Sequence, residues 1–327
     1  MQIYHGLDDV PADLGTTAVT IGNFDGVHLG HQHVLEQVID QAKRRSARTV
    51  AVTFDPHPAF IHRPEATPDL LTGTSEKLTR LRAAGLDAAL VLQYTPELAA
   101  HSAEDFIRTF FVQALNPAVV VVGYDVRFGR DNAGDLSTMI DLGKECGFAV
   151  EVMEDTSAES ETQDSEPELG RRWSSTWVRD LLVAGEVAAA AAILGRPHRM
   201  RGVIVHGDSR GRGLGFPTAN LDADSSGLVP ADGVYAGWLL RTSRPQHRGV
   251  YPAAISVGTN PTFDGESRRV EAYVLDRDDL NLYDEEVVFE FVERLRPTLR
   301  FQSADELMAQ MHADVASART ILLPSSP

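Results

Sequence analysis

Gly22-Asn23-Phe24-Asp25-Gly26-Val27-His28-Leu29-Gly30-His31 sets two histidines three positions apart among three glycines. An apolar strand pattern ends just before this string and a helical pattern begins at its end. Both imidazoles then share a face of the first helical turn. The N–H groups and positive dipole end of that turn point at any anion bound there. Glycine lets a phosphate approach the backbone closely. Two imidazoles in that place could donate to α- and β-phosphate oxygens as negative charge develops. Taken one at a time, the same residues read as a turn with two surface histidines. A two-histidine zinc site would lack a third ligand nearby.

A second string, Val205-His206-Gly207-Asp208-Ser209-Arg210-Gly211-Arg212-Gly213-Leu214-Gly215-Phe216-Pro217-Thr218-Ala219-Asn220-Leu221, carries four glycines between 207 and 215. Its N–H groups could wrap a phosphate as a nest, with Arg210 and Arg212 adding charge. Thr218 and Asn220 offer hard oxygen ligands of the kind Mg²⁺ takes. Without the Pro-Thr-Ala-Asn tail, a glycine-rich hairpin is an equal reading. Glu271 stands among Val270, Ala272 and Val274 on a strand pattern. A carboxylate partly withdrawn from water can take a proton from a primary alcohol; the plainer reading is a strand glutamate facing solvent. Ser174-Ser175-Thr176-Trp177-Val178-Arg179 could cap a helix and present Arg179 to a phosphate. Alone it would be a plain N-cap.

The elements that must position these residues follow from periodicity. Strands are expected at 17–21, 49–54, 88–92, 119–122 and 148–153. Helices are expected at 28–45, 75–84 (capped by Ser75), 102–115 and 135–146. Near-continuous apolar strands separated by helices predict an α/β domain with a parallel sheet covered on both faces. Residues 154–168 hold seven acids and no base and read as a solvated loop. Short helices follow at 176–183 and 187–194. Strands at 202–206, 234–240, 253–257, 270–275 and 287–292 predict an antiparallel sheet or small barrel. A helix capped by Ser303, with Glu306 completing a capping box, closes the pattern at 303–320. The division between domains is expected near 184–200, giving domains 1–185 and 186–327.

The chain has 327 residues and a formal net charge of −17. A bulk-acidic chain binds nucleic acid and anionic membranes poorly, so small-molecule substrates are the expected partners, and weak homo-oligomerisation stays open. The single cysteine, Cys146, excludes intrachain disulfides and a cysteine-rich zinc site. No apolar run approaches the ~18 residues of a membrane span, and the N-terminus lacks a secretory pattern; the cytoplasm is the expected compartment. Lysine occurs only at 43, 77 and 144, which removes lysine-based phosphate or Schiff-base chemistry from the second half.

The first string resembles the nucleotide-binding signature of bacterial FAD synthetases, nucleotidylyltransferases with an H-x-G-H motif. Thr53-Phe54-Asp55-Pro56-His57-Pro58 and Val122-Gly123-Tyr124-Asp125-Val126-Arg127-Phe128-Gly129 resemble that family's strand-end segments, Val126 replacing the usual Phe. Ser174–Arg179 resembles its S-S-T-x-[IV]-R motif, with Trp173 in place of an aliphatic residue. The second string resembles the riboflavin kinase signature, and the match continues to a C-terminal helix. Together they resemble the bifunctional bacterial riboflavin kinase/FAD synthetase family. That resemblance implies an α/β Rossmann-like nucleotidylyltransferase domain followed by an antiparallel six-stranded β-barrel with a C-terminal helix. It implies ATP and Mg²⁺, with riboflavin, FMN and FAD as substrates or products. His28, His31, Arg179 and Glu271 would be catalytic. Gly22, Asn23, Phe24, Asp25, Gly30, His57, Asp125, Arg127, Ser175 and Thr176 would bind one nucleotide, and Gly207, Arg210, Gly213 and Gly215 another. Thr218 and Asn220 would hold the metal. Phe54, Phe128 and Asn260 would contact flavin, although Phe24, Phe54 and Phe128 by themselves read as core, and Arg127 by itself reads equally as a surface ion pair.

Three other readings are weighed. A nucleotidylyltransferase for another cofactor is opposed by the kinase-like string. A flavin-binding regulator without catalysis is opposed by intact Glu271, Thr218, Asn220, His28 and His31. A class I aminoacyl-tRNA synthetase is opposed by the lack of a lysine-rich partner motif and of a basic RNA surface.

Overall fold

This computed structural model describes residues 1–153, 172–207, 215–242, 249–262 and 265–323. The acidic stretch 154–168, together with Arg210 and Gly213, lies outside the described residues. By contacts the chain forms two compact units, Met1–Pro68 with Thr74–Ser174, and Asp69–Gly73 with Ser175–Pro327.

The first unit is built on six parallel strands: β1 (Gln2–Tyr4), β2 (Thr17–Ile21), β3 (Arg48–Asp55), β4 (Ala88–Gln93), β5 (Pro117–Gly123) and β6 (Ala149–Met153), in the order β1-β4-β3-β2-β5-β6. The chain builds outward from β2 to β3 and β4, then crosses to β5 and β6, so strand order reverses beside β2. Ligands of open α/β sheets bind off the strand carboxyl ends at such a reversal. Alternate strand residues serve opposite faces. Val50 and Val52 pack with Phe106, Ile107, Phe110, Phe111 and Met139, whereas Ala51 packs with Leu35, Val38, Leu78 and Leu81. The helices are α1 (Leu29–Arg45), α2 (Ala59–His62), α3 (Thr74–Ala83), α4 (Pro96–Ala99), α5 (Ala103–Phe106) and α6 (Leu136–Cys146).

The structure corrects three sequence expectations. β1 adds an edge strand, too short for its three residues to show a period. The helix expected at 102–115 is α5 followed by a π-helical stretch, Ile107–Gln113; the wider turns keep the expected aromatic face inward. Ser75 is not a cap, because α3 already begins at Thr74. By contrast, Asp135 caps α6 by accepting from the Thr138 N–H at 2.9 Å, and Gly147 stops it at φ +86°.

In the second unit, α7 (Ser175–Ala184) and α8 (Val187–Leu194) precede a closed antiparallel barrel: β7 (His198–Val205), β8 (Thr218–Leu221), β9 (Gly233–Arg241), β10 (Gly249–Thr262), β11 (Gly265–Val274) and β12 (Glu286–Pro297). β8, absent from the sequence expectation, lies within the Pro-Thr-Ala-Asn tail, where a motif masks a four-residue strand. The barrel order is β10-β11-β8-β7-β12-β9, with β9 returning to β10. The final helix, α9 (Ala304–Leu322), is capped by Ser303, whose hydroxyl accepts from Glu306 N–H. The Glu306 carboxylate reaches back to Gln302 N–H at 2.9 Å. α9 packs against Ala236 and Leu275 through Val315, Ala318 and Leu322, and a buried ion pair between Arg296 of β12 and its own Asp314, 2.7 Å apart, fastens it.

Gly237 of β9 is fully enclosed. A methyl there would strike the Glu290 carbonyl oxygen and the Ile255 Cδ1 atom. Gly237→Ala should therefore destabilise the barrel by about 1–3 kcal/mol through overpacking. Calorimetry should show a thermal midpoint several degrees lower; an unchanged midpoint would mean that β9 and β12 separate without cost.

Candidate functional site

Between β2 and α1 the backbone makes a turn that most residues resist. Phe24, Gly26 and Val27 lie in the left-handed region, at φ +49°, +81° and +42°. For a β-branched residue such as Val27 this is strained. Burial holds it: Phe24 and Val27 are each 2% exposed and pack beneath the turn. Gly22 N–H donates to the Val52 carbonyl at 3.1 Å, and Thr53 Oγ1 donates to the Asn23 carbonyl at 3.3 Å. The turn is thus tied to β3.

His28 is the N-cap of α1, its Nδ1 accepting from the His31 N–H at 3.4 Å. The two imidazoles stack at 3.7 Å, and Phe24 meets His31 edge-on at 5.3 Å. Gly30 lets the rings pack closely here. A Cβ would come within 3.2 Å of the His28 ring and 3.6 Å of Trp173 Cβ, so Trp173 stands beside the first turn of α1. Gly22, Asn23, Phe24, Asp25, His28, Gly30 and His31 therefore form one local cluster, with Asp25 and His28 buried.

Phe54 and His57 follow at the end of β3. His57 Nδ1 accepts from Ala59 N–H at 3.1 Å, and Phe54 packs edge-on against Tyr94 at 5.3 Å. Burial pushes the Tyr94 phenol upward. Off the end of β5, Asp125 receives a 2.7 Å ion pair from Arg172, which also lies over the Tyr124 ring. That hydrogen bond holds the Asp125 carboxyl below its ordinary range. Arg127 is exposed and donates from Nη1 to the Val126 carbonyl at 3.1 Å. Phe128 is 4% exposed and belongs to the core with Phe106. Ser175, Thr176 and Arg179 lie on α7 in the second unit, where Arg179 Nε donates to the Asp69 carbonyl at 2.8 Å.

In the barrel, Glu271 pairs across strands with Asn220 of β8 and Ser256 of β10. Thr218 Oγ1 donates to Glu271 Oε2 at 3.1 Å, and Asn220 Nδ2 lies 3.4 Å from Thr218 Oγ1. Gly207 makes room for this group, since a Cβ there would sit 2.6 Å from Asn220. Gly215 turns the chain at φ +84°. The neighbours of Glu271 on β11, Val270 and Ala272, face the barrel core, so Glu271 points off the outer wall. It does not meet open solvent: with Thr218, Ser256 and Tyr273 it lines a cavity of about 270 Å³ roofed by Leu307, Met311 and Val315 of α9. Burial pushes the Tyr273 phenol upward. A second cavity of about 400 Å³ opens on Thr218 with Gly215, Pro217, Leu282 and Tyr283. Asn260 lies on β10. Among the described residues no group of three or more His, Cys, Asp and Glu is arranged to hold a metal, and no helix is long and apolar enough to cross a membrane.

Sequence reasoning missed Arg172, Lys77 and Ser256. Arg172 adjoins the acidic stretch and carried no motif signal; Lys77 reads as one more charge on a helix; Ser256 gains meaning only from strand register.

A parallel α/β unit with a histidine-capped helix off its central strand, followed by a six-stranded barrel with a polar trio on its wall, is the architecture of a two-part nucleotide and flavin enzyme family. Family profiles for FAD synthetase and for riboflavin kinase match residues 10–166 and 194–322. The bifunctional riboflavin kinase/FMN adenylyltransferase of Escherichia coli K12 is 33% identical over 96% of this chain and 95% of its own. That of Pseudomonas fluorescens is 33% identical over 100% and 99%. A crystal structure from Streptococcus pneumoniae, described as a macrolide-efflux protein, superposes with TM-score 0.82 at 29% identity, covering 97% of this chain and 98% of that one. The chain belongs to the bifunctional riboflavin kinase/FMN adenylyltransferase family.

The Asp125–Arg172 pair makes a pH-dependent contribution. A carboxyl whose folded pKa is depressed stabilises the fold above its unfolded value and loses that stabilisation as pH falls through the folded value. Arg172→Ala should return the Asp125 titration, followed by carboxyl NMR, toward its ordinary range. The stability difference from the parent should be present at neutral pH and vanish in acid. An unmoved titration would assign the shift to the backbone instead.

Proposed function

We propose that this protein phosphorylates riboflavin to FMN with ATP and then adenylylates FMN to FAD, releasing pyrophosphate. Residues 186–327 carry the first reaction and residues 1–185 the second. The observation that carries this reading is that each unit holds its own phosphate-handling cluster: the histidine-capped turn at α1 in one, and the Thr218–Asn220–Glu271 trio in the other.

In the kinase reaction Glu271 takes the proton from the ribityl 5′-hydroxyl as its oxygen attacks the γ-phosphorus of ATP; the bond from γ-phosphorus to the ADP oxygen breaks. Flavin occupies the mostly apolar cavity under α9, which Glu271 lines. Nucleotide enters from the cavity containing Gly215 and Pro217. The two meet at Thr218, which lines both. Mg²⁺ suits this place: Thr218 and Asn220 supply hard oxygens, and this metal usually completes its shell with water and substrate phosphates rather than a protein cage. It would neutralise phosphate charge. Gly207, Gly213 and Arg210 belong to the segment that would wrap the phosphates.

In the adenylyl transfer a phosphate oxygen of FMN attacks the α-phosphorus of ATP and pyrophosphate leaves. The attacking phosphate is already anionic, so positioning and charge stabilisation dominate. Because His28 Nδ1 accepts a hydrogen bond, the neutral ring carries its proton on Nε2 and can donate it to phosphate. His31 and the N–H groups of α1 add donors; the sequence motif assigns Arg179, Ser175 and Thr176 to ATP in the same reaction. Gly22, Asn23, Phe24, Asp25, Gly30, His57, Asp125 and Arg127 frame the nucleotide and Phe54 contacts flavin; Asn260 serves flavin in the barrel reaction, and Phe128, expected at flavin, stays in the core. Small molecules are the partners and the cytoplasm the compartment.

Separation of function tests this. His31→Ala should cut FAD formation roughly 100- to 1000-fold, the usual cost of losing one transition-state donor, while riboflavin still becomes FMN. Glu271→Gln should lower FMN formation by about 100-fold or more, yet leave conversion of supplied FMN to FAD near normal. Chromatography of flavins from the purified variants reads both. Loss of both activities from either single change in a folded protein would overturn the assignment of one site to each unit.

A further inference from the structure

The chain uses arginine almost everywhere a cation is wanted, with lysine only at 43, 77 and 144. Lys43 and Lys144 are exposed and pair with acids three positions earlier. Lys77 is different. It lies on α3, is 6% exposed, and donates from Nζ to the Phe54 carbonyl at 2.9 Å. The carboxylates acting on it are Asp55, beside Phe54 at the end of β3, and Asp25, inside the strained turn before α1.

Burying an ammonium is costly, and here desolvation pulls its pKa below the ordinary lysine value. A position needing only packing would be better filled by methionine or leucine. Half-buried arginines of this fold face carboxylates that accept a fork, as Arg296 does with Asp314 and Arg241 with Glu285. At Lys77 the ammonium donates to a carbonyl, while Asp55 and Asp25, on separate segments, act on it electrostatically. A compact ammonium suits that arrangement best; a guanidinium keeps the charge but donates from a rigid plane.

We propose that Lys77 is a positioning residue for adenylyl transfer, locking the 22–28 turn to the end of β3 by opposing Asp25 and Asp55 and holding the Phe54 carbonyl. Asp25 sits between Phe24 and Gly26, whose left-handed conformations set the turn, and Phe24 meets the His31 ring. Without the cation, the Phe54 carbonyl loses its donor at the end of β3, next to Thr53, whose hydroxyl holds the Asn23 carbonyl of the turn. A shift there moves the turn and, through Phe24, the imidazole. Lys77 acts through these neighbours and touches no reacting atom. The inference rests on the reading that this turn hosts adenylyl transfer.

Lys77→Met in the full chain keeps the side chain's length and removes its charge. The kcat for FMN to FAD should fall about 100-fold, the scale of a misplaced catalytic group, with the KM for FMN within about threefold. Riboflavin phosphorylation in the same sample should be unchanged. Lys77→Arg, which restores the charge, should recover at least about a tenth of the parent kcat. His31→Ala serves as the reference. If it abolishes FAD formation while Lys77→Met keeps the parent kcat, the positioning role is overturned and the site assignment stands. If both variants make FAD normally, the site assignment itself fails. Should Lys77→Met unfold the first unit, seen as lost amide protection in β2 and β3, the Lys77→Arg protein decides. Folded and active, it supports the charge lock; folded but as slow as His31→Ala, it overturns it.

Discussion

Leaving a buried parallel strand and starting a helix within residues 22–28 is the constraint on which the first unit depends. β2 is the central strand at the reversal of strand order, so its carboxyl end opens where neither neighbour's following helix covers it. The chain can turn there only by taking left-handed conformations at Phe24, Gly26 and Val27. That strain is offset by burying Phe24 and Val27 and by two hydrogen bonds to β3. Strained backbone held by packing keeps N–H groups and imidazoles in place before a substrate arrives, which costs less reorganisation during reaction than a flexible loop would.

The barrel solves a different problem. A closed sheet fills its interior with side chains, so polar chemistry must sit on the outer wall, where water would compete. α9 removes that competition. It is fastened by the Arg296–Asp314 pair and by apolar contacts, and it roofs the wall that carries Thr218, Ser256 and Glu271. Glu271 faces outward from its strand and yet is partly withdrawn from water beneath α9. Cross-strand register brings Thr218 and Asn220 to it from β8, although 53 residues separate Thr218 from Glu271 along the chain.

Much of this was legible in sequence. The 3.6-residue stripe of 28–45 and the apolar runs of β2 to β6 fixed the parallel sheet, since a strand buried on both faces admits few polar residues. Ser303 marked a helix start because its side chain satisfies a local N–H group. β1 and β8 escaped notice because three or four residues carry no measurable period. The π-helical stretch escaped because a wider turn leaves the same apolar face as an α-helix. The histidine pair and the glycine-rich segment stand out by residue type and spacing, and Glu271 by the family motif around it; Lys77, Arg172 and Ser256 do not, because their partners are distant along the chain.

The sequence by itself determined the two-part architecture and the chemical character of each cluster, because periodicity, caps and short motifs are local properties. Only the tertiary structure decided which residues meet. It gave Phe128 to the core, placed Ser175, Thr176 and Arg179 on a helix of the second unit, roofed Glu271 with a helix about forty residues downstream, and set a buried lysine against the Phe54 carbonyl at the end of β3. Those outcomes follow from burial and strand register, which are non-local, and no window of sequence contains them.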